Sequence, residues 1–100
     1  MEKKVAKTLG GKTVPNSGAA KFVGGDVAVS NIFLIECKTC IEEKKSFAIK
    51  HEWLKKNREE AFETGKEYSA LCFNYGEGSE NYYVIDERLF KILVEHLSES

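Results

Sequence analysis

The chain has 100 residues and a mass of 11.3 kDa, with 42% hydrophobic residues, 31% charged residues and a single proline. This balance excludes a multidomain machine and a disordered chain, and it predicts one folded domain over residues 1–100. The net charge of −1 conceals a division: residues 1–58 sum to +6 and residues 59–100 to −7, so the first half is able to meet phosphates.

In chain order, the first eight residues suit a short helix, stopped at Gly10-Gly11 because glycine readily takes the left-handed conformation of helix ends. Residues 12–24 read as loop around Pro15, Asn16, Ser17 and Gly18, with a short strand at Lys12–Val14. Asp26 to Lys38 is almost wholly apolar or β-branched except at Ser30-Asn31, which predicts two strands joined by a tight turn. A polar loop over Glu42–Ser46 follows. From about Ile49 the apolar residues Ile49, Trp53, Leu54, Ala61 and Phe62 approximate helical spacing until Gly65. Tyr68–Asn74 and Asn81–Ile85 suggest a second hairpin, and Asp86 caps a last helix with Leu89, Phe90, Leu93, Val94 and Leu97 turned inward. The order is α-β-β-β-α-β-β-α.

A first hairpin turning about Asn31 places residues whose numbers sum to 62 opposite each other, which pairs Asp26 with Glu36. Alternation puts Asp26, Ala28, Ile32, Leu34, Glu36 and Lys38 on one face and Val27, Val29, Phe33, Ile35 and Cys37 on the other. Both faces are largely apolar, so helices are expected on both sides of the sheet. Like charges directly opposite on neighbouring strands destabilise a sheet, and a hard cation such as Mg²⁺, bound through one or two carboxylates and a substrate phosphate, relieves the repulsion. Lys38 lies on the same face, where its amine reaches a reacting phosphate. A cation, a carboxylate pair and an amine suit phosphodiester hydrolysis without a covalent nucleophile. The plainer alternative is a strand-end ion pair between Glu36 and Lys38, with Asp26 as a turn residue.

Gly25-Asp26-Val27, the ten-residue step to Glu36 and Ile35-Glu36-Cys37-Lys38 resemble the PD-(D/E)XK nuclease motif, especially as found in archaeal Holliday junction resolvases and small phage endonucleases. Asn16-Ser17-Gly18-Ala19 is similar to the Ser-Gly element that precedes the metal-binding aspartate in that family. The resemblance implies a restriction-endonuclease-like α/β core with a central mixed sheet flanked by helices. It also implies Asp26 and Glu36 as metal ligands, Lys38 as the catalytic lysine, Ser17 as an active-site or phosphate contact and Glu2 as a further ligand. Gly25 stands where the motif has proline, and Lys12 where an arginine often precedes the Ser-Gly element. The implied activity is that of an Mg²⁺-dependent DNA endonuclease, with Mn²⁺ as a substitute, selective for branched DNA and acting as a homodimer. A phage nuclease cutting flaps, nicks or linear duplex, or a noncatalytic DNA-binding module of the same fold, are the alternatives.

Lys44, Lys45, Lys50, Lys55 and Lys56 border the loop after the motif and the start of the second helix, where they suit contacts to DNA phosphates. Cys37-Lys38-Thr39-Cys40 has the spacing of half a zinc site, but Cys72, His51 and His96 are the only soft residues left to complete it. Cys37 is expected to be a buried apolar residue, and three cysteines cannot all pair within the chain, which fits a reducing compartment. Gly24-Gly25 precedes no G-K-[ST], so no nucleotide cofactor is expected. Trp53 and Phe62 have core spacing. No apolar run approaches the roughly 20 residues that span a bilayer, and Met1–Thr8 lacks the apolar stretch of a secretory signal, which predicts a cytoplasmic protein without a membrane partner.

Overall fold

A computed structural model describes residues 1–14, 26–38, 44–76 and 78–99. The elements are α1 (Glu2–Leu9), β1 (Lys12–Val14), β2 (Asp26–Val29), β3 (Phe33–Lys38), α2 (His51–Glu63), β4 (Tyr68–Phe73), β5 (Tyr82–Val84) and α3 (Glu87–Ser98). Ser17 with its Asn16–Ala19 element, and Cys40, lie outside the described residues.

The five strands form one mixed sheet in the order β1-β2-β3-β4-β5. Every neighbouring pair is antiparallel except β3 with β4. These two run parallel because α2 forms the crossover between them, and a parallel pair needs such a connection. In the first hairpin Asp26 lies opposite Glu36 and Val29 opposite Phe33, the expected register. Its turn places Ser30 at a φ of 50° and closes with the Ile32 amide donating to the Val29 carbonyl at 3.1 Å.

Gly10 ends α1 at a φ of 70°. Gly11 is required for a different reason, because a Cβ at this position would lie 2.6 Å from the Ala28 carbonyl oxygen. Only glycine therefore lets the chain leave the helix this close to β2.

The two faces of the sheet are packed separately. On one, Val5 and Ala6 of α1 bury against Val27, Ile35, Cys37, Ala70 and Cys72. Cys37 and Cys72 are buried free thiols, opposite each other across β3 and β4, and their mutual hydrogen bond followed by burial pushes Cys37 up. Such a thiol is an apolar filler, as expected. On the other face α2 buries Asn57 and Ala61. Asn57 occupies a position where helical periodicity asks for an apolar residue, and its side-chain amide donates to the Leu34 carbonyl at 3.4 Å.

Two expectations about apolar residues are corrected. Phe62, assigned to the core by spacing, is 85% exposed, because the buried line of α2 runs through Asn57 and Ala61 and the next residue turns away by about 100°. In α3 the Asp86 carboxylate accepts from the Leu89 amide at 2.8 Å, the predicted cap, but only Leu89 is buried. Phe90, Leu93, Val94 and Leu97 are exposed. No described helix is long and apolar enough to cross a membrane.

Candidate active site

Strand β3 has neighbours on both sides and lies under helices on both faces, so Leu34, Ile35, Cys37 and Lys38 are all buried. Charged groups in such a strand are expensive unless paired. Glu36 and Lys38 occupy it nonetheless, with Lys38 Nζ 3.6 Å from Glu36 Oε1. The register then brings Asp26 of β2 directly opposite Glu36, which sets two carboxylates on one face.

The electrostatics are unfavourable to both acids as charged groups. Burial first, then the Glu36 and Glu60 carboxylates, raise Asp26 from its ordinary 3.8 to about 6, against the lowering effects of Lys38 and Lys56. Glu36 is raised as well, chiefly by burial, with Lys38 as the main opposing influence. Glu36 Oε2 is buried and has no hydrogen-bond partner among the described residues. A buried carboxylate oxygen without a donor needs an explanation, and a hard cation between paired carboxylates supplies one. The donor set therefore fits Mg²⁺ held by Asp26 and Glu36. Among the described residues no group of three His, Cys, Asp or Glu side chains is arranged to hold a metal ion, so further ligands would be water or substrate oxygens, as is usual for Mg²⁺.

Helix α2 forms the wall of the site. Lys38 Nζ stands 4.6 Å from the centre of the Trp53 ring and Lys50 Nζ 5.6 Å from it, distances at which a cation is attracted to the ring face. Trp53 is half-buried and so is neither a core residue nor a free surface. Lys56 and Glu60 pair at 3.9 Å and act on both Asp26 and Glu36. Sequence reasoning places Lys56 among phosphate contacts and misses Glu60. The signal is present, since Trp53, Lys56 and Glu60 stand at i, i+3 and i+7, one side of a helix.

The other assigned residues are distributed unequally. Lys12, opposite Ala28 in the β1–β2 ladder, shares the face of Asp26 and is exposed. Lys50 borders the site, whereas Lys55 is exposed on α2, two residues from Trp53 and hence turned away from it. Lys44 and Lys45 are exposed, and the Lys44 amide ties its segment to the Tyr75 carbonyl at 2.8 Å. Glu2 lies 3.9 Å from the N-terminal amine and its charge is felt at Cys37, while the main charges acting on Asp26 and Glu36 come from elsewhere.

Comparison with models of known families, with curated proteins and with solved structures returns no match to this chain.

Proposed function

We propose that this chain is a divalent-metal-dependent DNA endonuclease with a restriction-endonuclease-like core, cutting branched DNA as a homodimer. The observation that carries the reading is the half-buried pair Asp26 and Glu36, facing each other across two strands, with Lys38 beside them and one Glu36 oxygen that has no donor among the described residues. A pair retained at this cost in a small domain suits a cation and a phosphate better than it suits folding.

Asp26 and Glu36 would hold the metal. Bound Mg²⁺ supplies a Lewis acid that draws charge from the phosphoryl oxygen and eases deprotonation of attacking water. Lys38 provides fixed positive charge for the negative charge that develops on the phosphate, and its contacts with Glu36 and Trp53 hold it in place beforehand. Lys12, Lys50 and Lys56, around this face, receive the DNA backbone. Such contacts position the nucleic acid without reading its sequence, so selection by DNA shape is the natural mode for so small a domain.

The test incubates the protein with a four-way junction, a flap and a plain duplex, each with Mg²⁺, Mn²⁺ or a chelator. Metal-dependent cutting of the junction alone is expected. Cutting of flaps or duplex would keep the chemistry and change the substrate, and binding without cleavage under every metal would overturn the enzymatic reading.

A further inference from the structure

The face of the sheet that carries Lys38 continues beyond it as aromatic side chains. Lys38 of β3 lies opposite Phe73 of β4, and Phe73 opposite Tyr82 of β5. Residues opposite one another in a ladder share a face, so these three form one row ending on the last strand of the sheet. Phe47, before α2, stacks on Phe73 with 4.8 Å between ring centres and tilts against Trp53 at 6.2 Å. Phe73 also stacks on Tyr82 at 5.8 Å, and Tyr75 meets both rings edge-on. Cover is unequal: Phe73 is buried, Phe47, Trp53 and Tyr75 are half-buried, and Tyr82 is 46% exposed. The Tyr82 ring is thus backed by Phe73 on one side and open to solvent elsewhere.

We propose that this row seats an unpaired stretch of DNA strand, one base stacking on Tyr82 while the backbone passes Lys44, Lys45 and Lys50 toward Lys38. Grooves that hold single strands combine a cationic path for the phosphates with aromatic rings for the bases, and both are present here. Lys38 and Lys50 stand over Trp53 at the inner end of the row. The Lys44 amide is tied to the Tyr75 carbonyl at 2.8 Å, and Lys44 and Lys45 are exposed. Residues 44–53 hold three lysines against one acid, Glu52, and α2 begins there without a side-chain cap, an end that favours an anion. Glu80 is the acid in contact with the row, and it accepts from the Tyr82 hydroxyl at 3.5 Å, at the rim of the ring rather than over its face. Inside a duplex both faces of a base are covered by its neighbours, so an exposed ring on this row selects unpaired bases. Tyr82 stands two strand spacings from Lys38, about 10 Å, or roughly three stacked nucleotides of one strand. This placement rests on the nuclease reading for the phosphate at Lys38 and deepens it, since branched DNA is then gripped where a strand leaves its pairing.

The test is fluorescence anisotropy of the full chain in chelator, with a short labelled oligothymidylate, an abasic strand of the same length and charge, and a plain duplex. The oligothymidylate should bind more tightly than the abasic strand. Tyr82→Ala should weaken it by roughly 10-fold and leave the duplex unchanged. Tyr82→Leu, which keeps apolar bulk and the thermal transition, should show the same loss, and Tyr82→Phe should restore binding. Phe62→Ala, an exposed aromatic at the far end of α2, should bind as the wild type does. Equal affinity for the abasic strand, an equal loss on the duplex, full binding by Tyr82→Leu, or a two-copy mass that Tyr82→Ala reduces to one would each overturn the proposal, the last by giving the ring to a second chain. Strand binding without cleavage in Mg²⁺ would overturn the nuclease reading alone, and cleavage that ignores Tyr82 together with unaltered strand binding would overturn this inference alone.

Discussion

Replacing Asp26 with Asn removes one of two acidic groups that the fold holds in an unfavourable place, and it should separate stability from function. Asp26 binds its proton more tightly in the folded chain, at about 6, than at its ordinary 3.8. Below pH 3.8 both states are protonated and the contribution to stability is complete. Between 3.8 and 6 the unfolded chain ionises first, so stability falls as pH rises, and above 6 the loss is complete. A gap of roughly two pKa units corresponds to ~3 kcal/mol, and solvent screening of the half-buried carboxylate reduces this to about 1–2 kcal/mol. Asp26→Asn should therefore match the wild type near pH ~4 and exceed it by about 1–2 kcal/mol near pH ~7.5, while losing Mg²⁺-dependent cleavage. Urea unfolding in chelator at both pH values, followed by circular dichroism, measures the difference, and Mg²⁺ should stabilise the wild type but not the variant. A variant that loses equal stability at both pH values would refute the reasoning, since Asp26 would then be a satisfied structural group.

Lys38→Ala should lower cleavage by about 100-fold or more while DNA binding persists, as expected for a charge that acts on the developing transition state; single-turnover kinetics beside a gel-shift titration checks this. Glu60→Gln removes a negative charge that raises both Asp26 and Glu36, so the acid limb of Mg²⁺ binding, followed by calorimetry, should move to lower pH. Gly11→Ala forces a Cβ toward the Ala28 carbonyl and should cost about 1–3 kcal/mol in urea unfolding. Phe62→Ser, at a position almost fully exposed, should change stability by less than about 0.5 kcal/mol.

Local pattern determined much of this protein. Alternation over Asp26–Lys38, a turn at Ser30-Asn31 and glycines after Leu9 are short-range signals, and they carried the element order and the register that sets Asp26 against Glu36. The same alternation separated Cys37 from Glu36 on opposite faces, which is why Cys37 read as filler. Periodicity could rank the residues of a helix by hydrophobicity, but it could not say which neighbour each would meet. Only the tertiary structure set Asn57 under Leu34, left Phe62 and Phe90, Leu93, Val94 and Leu97 of α3 exposed, and brought Trp53, Lys56 and Glu60 of α2 to the carboxylates of β2 and β3. The physical reason is distance along the chain: a hairpin register follows from residues a few positions apart, whereas the burial of a helix face and the field at Asp26 depend on groups brought together from tens of positions away.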